Sequence, residues 1–399
     1  MTQQAVKGAP ERVFRTPQAK FKSQGEIYNM NVTNNDQLKA YGWNEEWQQT
    51  LAAQEKPHRE CSPARVVAQF SHSYNIMTPS GIHSAAVTGK FEFLAAKRGD
   101  YPAVGDWVLA EPLPGENRSV IHAVLPRRSA MVRKVAGAVI EDQIVGANLD
   151  YLFIVTALNQ DFNLRKIERY MIAAWESGAS PVVLLTKSDL CPEPDDFAAQ
   201  VEEAAPGVPV HCVSALTGLG KEALEAYMRP GVTIAVTGSS GVGKSTLLNW
   251  LAGQSLQLTQ GIREDDARGR HTTTHRELFL LDNGALVMDT PGMRELQLWD
   301  AQEGWQQAFS DIEQLAESCR FRDCRHEGEA GCAVLEALNS GELDAKRFAN
   351  YRKTEKELAH LARKERSSAA KAGSKGKRPR SAGKAERRPI KLVDDMDYE

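Results

Sequence analysis

The chain has 399 residues, 42% of them apolar and 25% charged, with a formal net charge of −3. That length calls for two or three domains, and the longest apolar runs, such as Tyr151-Leu-Phe-Ile-Val155, fall far short of the roughly 20 residues that span a bilayer. Of six cysteines, Cys61, Cys191 and Cys212 stand apart while Cys319, Cys324 and Cys332 cluster, which argues against a disulfide framework; with a polar N-terminus that lacks an apolar signal core, a cytoplasmic protein with one metal site is expected.

Residues 1–60 form a polar, Gln/Asn-rich extension to which the sequence assigns no role. Its one helical pattern runs from Asn35 to Ala53, with Trp43 and Trp47 a turn apart. From 61 to 136, short β segments alternate with turns: Ala64 to Phe70, Asn75 to Met77, Ser84 to Val87, Asp106 to Leu109 and Val120 to Leu125, broken at Pro79-Ser-Gly81, Gly105-Asp106 and Pro114-Gly-Glu-Asn117. About five short strands in about 75 residues predict a small barrel of the oligonucleotide-binding (OB) type. Such a barrel either binds RNA or serves as a packing domain, and Arg127, Arg128, Arg133 and Lys134 at its end favour RNA.

Residues 137–300 carry a nucleotide-binding pattern. Thr186-Lys187-Ser188-Asp189 ends the apolar strand Pro181 to Leu185. A carboxylate at Asp189 accepts from guanine N1–H and the exocyclic amine, a pairing adenine does not offer. The Lys187 stem lies over the ring, and Ala215 of Ser214-Ala215 presents an N–H to O6. A buried carboxylate penalises the wrong base by leaving its charge unpaired, so GTP is favoured over ATP. Thr186 stands where such elements usually have Asn; its hydroxyl has less reach, which predicts modest affinity.

Thr233 to Thr237 reads as a buried strand and Thr246 to Leu251 as the opening of a helix. Between them Gly238-Ser239-Ser240-Gly241-Val242-Gly243-Lys244-Ser245 matches GxxxxGK[ST] in full, with Thr246 following. The glycines permit a tight turn that aims N–H groups and the helix N-terminus at phosphates. Lys244 is expected to reach the β and γ phosphates and Ser245 to bind Mg²⁺. Gln260 to Arg276 has almost no apolar residue and reads as a switch ordered by the γ-phosphate; of its threonines, Thr273 is the expected Mg²⁺ ligand. Asp289, after the strand Ala285 to Met288, is expected to hold Mg²⁺ through water, with the Gly292 N–H meeting the γ-phosphate. Met293 follows, where many GTPases have a water-orienting glutamine. His271 is the candidate for that role, against the plain reading of an exposed loop histidine.

In residues 301–362, Cys319, Cys324, His326 and Cys332 form CxxxxCxHxxxxxC. Three thiolates and an imidazole satisfy tetrahedral Zn²⁺ with no open position, so a structural zinc is expected. Helical patterns at Ala333 to Leu338 and Asp344 to Leu361 complete a zinc-stapled module, whose Arg320, Phe321, Arg322 and Arg325 either meet RNA or form a solvated rim. From Arg363 to Lys391 there are 12 Lys/Arg against two Glu, which reads as a disordered basic tail spanning 363–399.

The fold class is therefore multidomain α/β: an N-terminal OB-type β-barrel, a circularly permuted P-loop GTPase domain, and a C-terminal zinc-binding helical module. Permutation follows from order, because the guanine-reading elements precede the phosphate loop and Asp289 follows it. Barrel, permuted domain and CxxxxCxHxxxxxC in this order resemble the ribosome small-subunit-dependent GTPase family (RsgA, or YjeQ). Specific carriers are Val104-Gly-Asp106, Val124-Leu-Pro-Arg127, Thr186 to Asp189, Gly238 to Thr246, Gly269-Arg-His-Thr-Thr-Thr274, Asp289 to Gly292 and Cys319 to Cys332. The resemblance implies a GTP hydrolase acting late in maturation of the 30S subunit, stimulated by that subunit and contacting its 16S rRNA. It also implies zinc at Cys319, Cys324, His326 and Cys332. Absence of coiled-coil heptads leaves a monomer as the expectation. The alternatives are a GTP-gated rRNA-binding scaffold with negligible hydrolysis, which Met293 supports, and an ATPase, which Asp189 opposes.

Overall fold

The computed structural model describes residues 36–54, 61–71, 73–135, 141–159, 162–253, 276–289 and 302–375. Among the described residues two short helices come first, α1 (Asp36–Ala40) and α2 (Glu45–Ala52). The single helix expected from Asn35 to Ala53 is thus broken. Gly42 sits at φ 89°, where a Cβ would lie 2.6 Å from the Gly231 carbonyl oxygen, and Asn44 restarts the helix by accepting the Trp47 N–H at 3.1 Å. Trp43 and Trp47 then pack on Trp107, with ring centroids 4.7 and 6.0 Å away. The tryptophan pair of the extension serves as a lid on the core.

Five strands close the barrel: β1 (Ser62–Gln69), β2 (Tyr74–Thr78), β3 (Gly81–Val87), β4 (Trp107–Pro112) and β5 (Arg118–Val124). The pairings β1–β2, β2–β3, β4–β5 and β1–β4 are antiparallel and β3–β5 is parallel, which is the OB arrangement. Val66, Ile76, Val108 and Ile121 fill it at 0% exposure. Helix α3 (Gly89–Leu94) lies between β3 and β4. An antiparallel ribbon, β6 (Ala130–Val135) with β7 (Glu141–Ala147), leads onward.

The next unit contains β8 (Tyr151–Ala157), α4 (Leu164–Ser177), β9 (Ser180–Thr186), α5 (Pro194–Ala204), β10 (Val210–Val213), α6 (Lys221–Glu225), β11 (Thr233–Thr237), α7 (Lys244–Ala252), β12 (Arg276–Leu280) and β13 (Leu286–Asp289). Strand order is β10-β9-β8-β11-β13-β12, parallel except for β12. The phosphate-loop strand β11 lies centrally, between β8 and β13, although β8, β9 and β10 all precede it in the chain. That is the permutation in structural form. Strands buried on both faces need continuous apolar sequence, and β8, β9 and β11 supply it. Strand β12 also pairs with β1, at Ala68↔Glu277 and Gln69↔Arg276, so barrel and nucleotide-type sheet form one 11-stranded sheet.

Two buried arginines bind the parts together. Arg65, 2% exposed, donates to the carbonyls of Tyr41, Gly105 and Asn148 and to the Thr233 hydroxyl; burial lowers its pKa to about 10. Arg347 joins Glu168 of α4, the Ala204 carbonyl, and Asp311. The C-terminal part, among the described residues, consists of α8 (Gln302–Ala308), α9 (Ser310–Glu317), α10 (Ala333–Ser340) and α11 (Ala345–Lys375), and Arg347 of α11 thereby ties α8 and α9 to α4 and the end of α5. Helix α11 reaches Lys375, so the first part of the expected 363–399 tail is helical, while 376–399 lie outside the described residues. No helix among the described residues is long and apolar enough to cross a membrane.

Candidate nucleotide site and metal centre

Parallel pairing brings the expected nucleotide-reading segments to one edge. Thr237 of β11 lies across from Ile154 of β8, Ala157 of β8 across from Thr186 of β9, and Thr186 across from Val213 of β10. Strand β13, beside β11, ends at Asp289. Thus 187–189, 214–215, 238–246 and 289 all leave the sheet at its carboxyl side, where open α/β sheets take ligands.

Gly238 is at φ 145°, and a Cβ there would come 2.2 Å from the Val155 carbonyl oxygen; only glycine fits. Gly243, at φ 95°, opens α7 at Lys244, so the loop delivers the chain straight into a helix N-terminus, the arrangement that receives phosphate. Within the loop the Lys244 ammonium donates to the carbonyls of Gly238 and Ser239 at 2.8 and 2.6 Å. Val242 is buried and anchors the loop, while Ser240, Gly241, Ser245 and Thr246 are exposed. The exposed Ser245 hydroxyl, at the start of α7, is a hard oxygen donor of the kind Mg²⁺ takes.

Thr186 turns out to be a brace. Its hydroxyl, 6% exposed as a residue, lies 2.7 Å from the Val242 carbonyl oxygen and 3.2 Å from that of Thr156. The Lys187 ammonium donates to the Gly241 carbonyl at 3.0 Å, with Lys187 itself held at φ 59°. Two consecutive residues of the base-reading segment therefore clamp the phosphate loop. The sequence reading, which treated Thr186 as a shortened substitute for Asn facing the ligand, missed this tie. The Ser188 hydroxyl is buried with no hydrogen-bond partner among the described residues. Asp189 is exposed, so the carboxylate read from sequence as buried is open at the rim. Ser214 orders the neighbouring loop: its hydroxyl accepts the Thr217 N–H at 3.2 Å and its carbonyl the Gly218 N–H at 2.9 Å, placing Ala215 at the same rim.

Three expectations fall elsewhere. His271, Thr273 and Gly292 lie outside the described residues, as does Met293. Arg127, one of the four basic residues that favour RNA in the sequence, is 3% exposed and forms a two-pronged pair with Asp106 at 2.8 and 2.7 Å; burial leaves this guanidinium no access to a ligand and removes it from that set. Arg128 stacks over Trp47 at 4.1 Å and meets Glu46 at 2.6 Å.

Cys319, Cys324, His326 and Cys332 converge, their donor atoms all within 4.8 Å of one another. The distances test the metal: bonds of about 2.3 Å to sulfur and 2.0–2.1 Å to nitrogen in a tetrahedron imply S···S of about 3.8 Å and S···N of about 3.6 Å. Cys319 Sγ lies 3.8 Å from Cys332 Sγ and 3.7 Å from His326 Nδ1, which is 3.3 Å from Cys332 Sγ. These residues fit a structural zinc. Glu329, which no sequence signal marked, ties the intervening loop by accepting the N–H groups of Arg325, Glu327 and Gly328 at 2.9, 2.8 and 3.1 Å, and those donors, Arg325 first, hold its pKa at about 2.

A family model described as RsgA GTPase matches residues 124–299. The chain is 45% identical over 303 residues to the Small ribosomal subunit biogenesis GTPase RsgA 1 of Oceanobacillus iheyensis, covering 76% of this chain and 86% of that protein. To the Small ribosomal subunit biogenesis GTPase RsgA of Methanosarcina acetivorans it is 40% identical over 331 residues, covering 83% and 87%. Among solved structures it is similar to YjeQ from Thermotoga maritima, with a TM-score of 0.57 and 28% identity, covering 75% of this chain and 99% of that one. YloQ, a circularly permuted GTPase, shares the fold with a TM-score of 0.55 at 23% identity, covering 78% and 99%.

Proposed function

The chain belongs to the RsgA GTPase family, and from that premise we propose that it hydrolyses GTP to GDP and phosphate while bound to the small (30S) ribosomal subunit, late in the subunit's maturation, with turnover stimulated by the subunit. The observation that carries this reading is the double clamp of Thr186 and Lys187 on the phosphate loop, which makes base reading and phosphate binding one rigid unit. In it, Asp189 and Ala215 take the guanine and Lys244 the β and γ phosphates. Ser245, Thr273 and Asp289 hold Mg²⁺, which neutralises charge on the phosphates when bound. Gly292 meets the γ-phosphate, and His271 orients water. One zinc staples the helical module, and the monomeric, cytoplasmic protein meets 16S rRNA through that module and the barrel.

The test is GTP turnover by the purified protein alone and with 30S, 50S and 70S particles, with ATP as competitor. Stimulation by 30S alone is the expected result. Tight GTP binding with no stimulation by any particle would overturn it in favour of the GTP-gated rRNA-binding scaffold.

A further inference from the structure

Helix α3 carries Phe93, 89% exposed and the most exposed large apolar side chain among the described residues. This is no loose loop. The Thr88 hydroxyl accepts the Phe91 N–H at 3.0 Å, and Asp100 accepts the N–H groups of Ala96 and Lys97 at 2.9 Å each. Phe91 turns inward and meets Tyr101 edge-on, with centroids 5.9 Å apart. From below, Arg127 donates to the carbonyls of Gly99 and Tyr101 at 2.7 and 2.8 Å while Asp106 fixes the guanidinium. The buried Arg127–Asp106 pair is thus the support of the segment.

What this support holds up is an outward ring in a segment rich in cations. Lys90 lies three residues before Phe93, hence on the same helical face, and Lys97 and Arg98 follow; all three are exposed. Residues 89–98 hold these three cations and one carboxylate, Glu92. An apolar pocket on a protein partner would take the ring but strip water from the cations. An unpaired nucleobase stacks on the ring and leaves its phosphates for the cations, as in single-stranded nucleic-acid recognition.

We propose that Phe93 is a stacking platform for an unpaired RNA base, with Lys90, Lys97 and Arg98 facing the adjoining phosphates. The inference rests on the ribosomal reading above, within which the RNA is an unpaired stretch of rRNA. The experiment uses the full chain in three forms: wild type, Phe93→Ala and Phe93→Trp. Affinity for purified 30S subunits is measured, together with Trp fluorescence of the F93W protein, against wild type, on titration with a single-stranded RNA oligonucleotide. Expected results are a loss of roughly five- to 150-fold in 30S affinity for F93A, retention by F93W, and RNA-dependent quenching specific to F93W. Photocrosslinking from position 93 is expected to reach rRNA. Equal 30S affinity of F93A and wild type, or a crosslink to a ribosomal protein instead, would overturn the platform. Wild-type protein that does not bind 30S sinks the ribosomal reading alone; F93W quenching by the oligonucleotide still supports the platform, and its absence overturns it.

Discussion

A hydroxyl carries one proton, and at Thr186 the 2.7 Å contact to the Val242 carbonyl takes it, with Thr156 at 3.2 Å as the second acceptor. The side chain thereby holds β9 to the phosphate loop, and in the proposed reading Asp189 and Ala215 are left to meet the base. Thr186→Val keeps the shape and removes the bond, leaving a buried carbonyl short of a donor, a loss of about 1–3 kcal/mol. GTP affinity is expected to fall by roughly five- to 150-fold. Titration of a fluorescent GTP analogue measures this, and unchanged affinity would show that Lys187 alone maintains the loop. Arg127 teaches the converse lesson: an arginine beside other basic residues reads as a nucleic-acid contact, yet a carboxylate at Asp106 draws it into the core, where pairing outweighs exposure.

Among elements, the C-terminal helical module is the one whose core a metal staple would complete. Phe309, Ile312 and Val334 are fully buried in it and Trp305 stacks on Tyr351 at 4.7 Å, but the core is small and the 319–332 loop has little apolar content of its own. Ion binding is therefore expected to contribute much of its stability. Treating the protein with a strong chelator, or substituting Cys332→Ser, should abolish amide-exchange protection in 310–340 while β8, β9 and β11 stay protected. Full protection after verified metal removal would show that packing suffices. Helix α11 marks where composition misleads. The excess of Lys and Arg past 363 reads as disorder, but as far as Lys375 Ala, Lys and Arg propagate a helix well once a packed segment has nucleated it. The packed segment exists here because Tyr351 and Arg347 dock the first turns.

Across the whole molecule, barrel and GTPase sheet share β1–β12 pairing and the Arg65 hub. Arg65 reaches the N-terminal helices, the barrel turn at Gly105, the Asn148 carbonyl beyond β7, and β11. Replacing it with Leu takes the donor from the Tyr41 and Asn148 carbonyls and the Thr233 hydroxyl, while the Gly105 carbonyl keeps Asn148 Nδ2 at 3.0 Å; each buried acceptor left unmatched costs about 1–3 kcal/mol. Calorimetry should show one cooperative transition for wild type and two for Arg65→Leu, as the barrel parts from the β8–β13 sheet. A single transition in the variant would place the coupling in β1–β12 alone.

The permuted order of the nucleotide segments, the five barrel strands and the Cys/His cluster that fits zinc were legible in the residues alone. Each of these is written in local patterns, as glycine spacing, strand alternation or donor chemistry within a few residues. Tertiary packing is what makes Thr186 and Lys187 brace the phosphate loop, buries Arg127, sets Trp43 and Trp47 over Trp107, and lets β12 join the barrel strands to the β8–β13 strands in one sheet. Thr186 and Val242 lie 56 residues apart, and Arg65 and Thr233 168 apart. Pairings at such separation depend on which surfaces the packed elements bring together, and no local pattern encodes them.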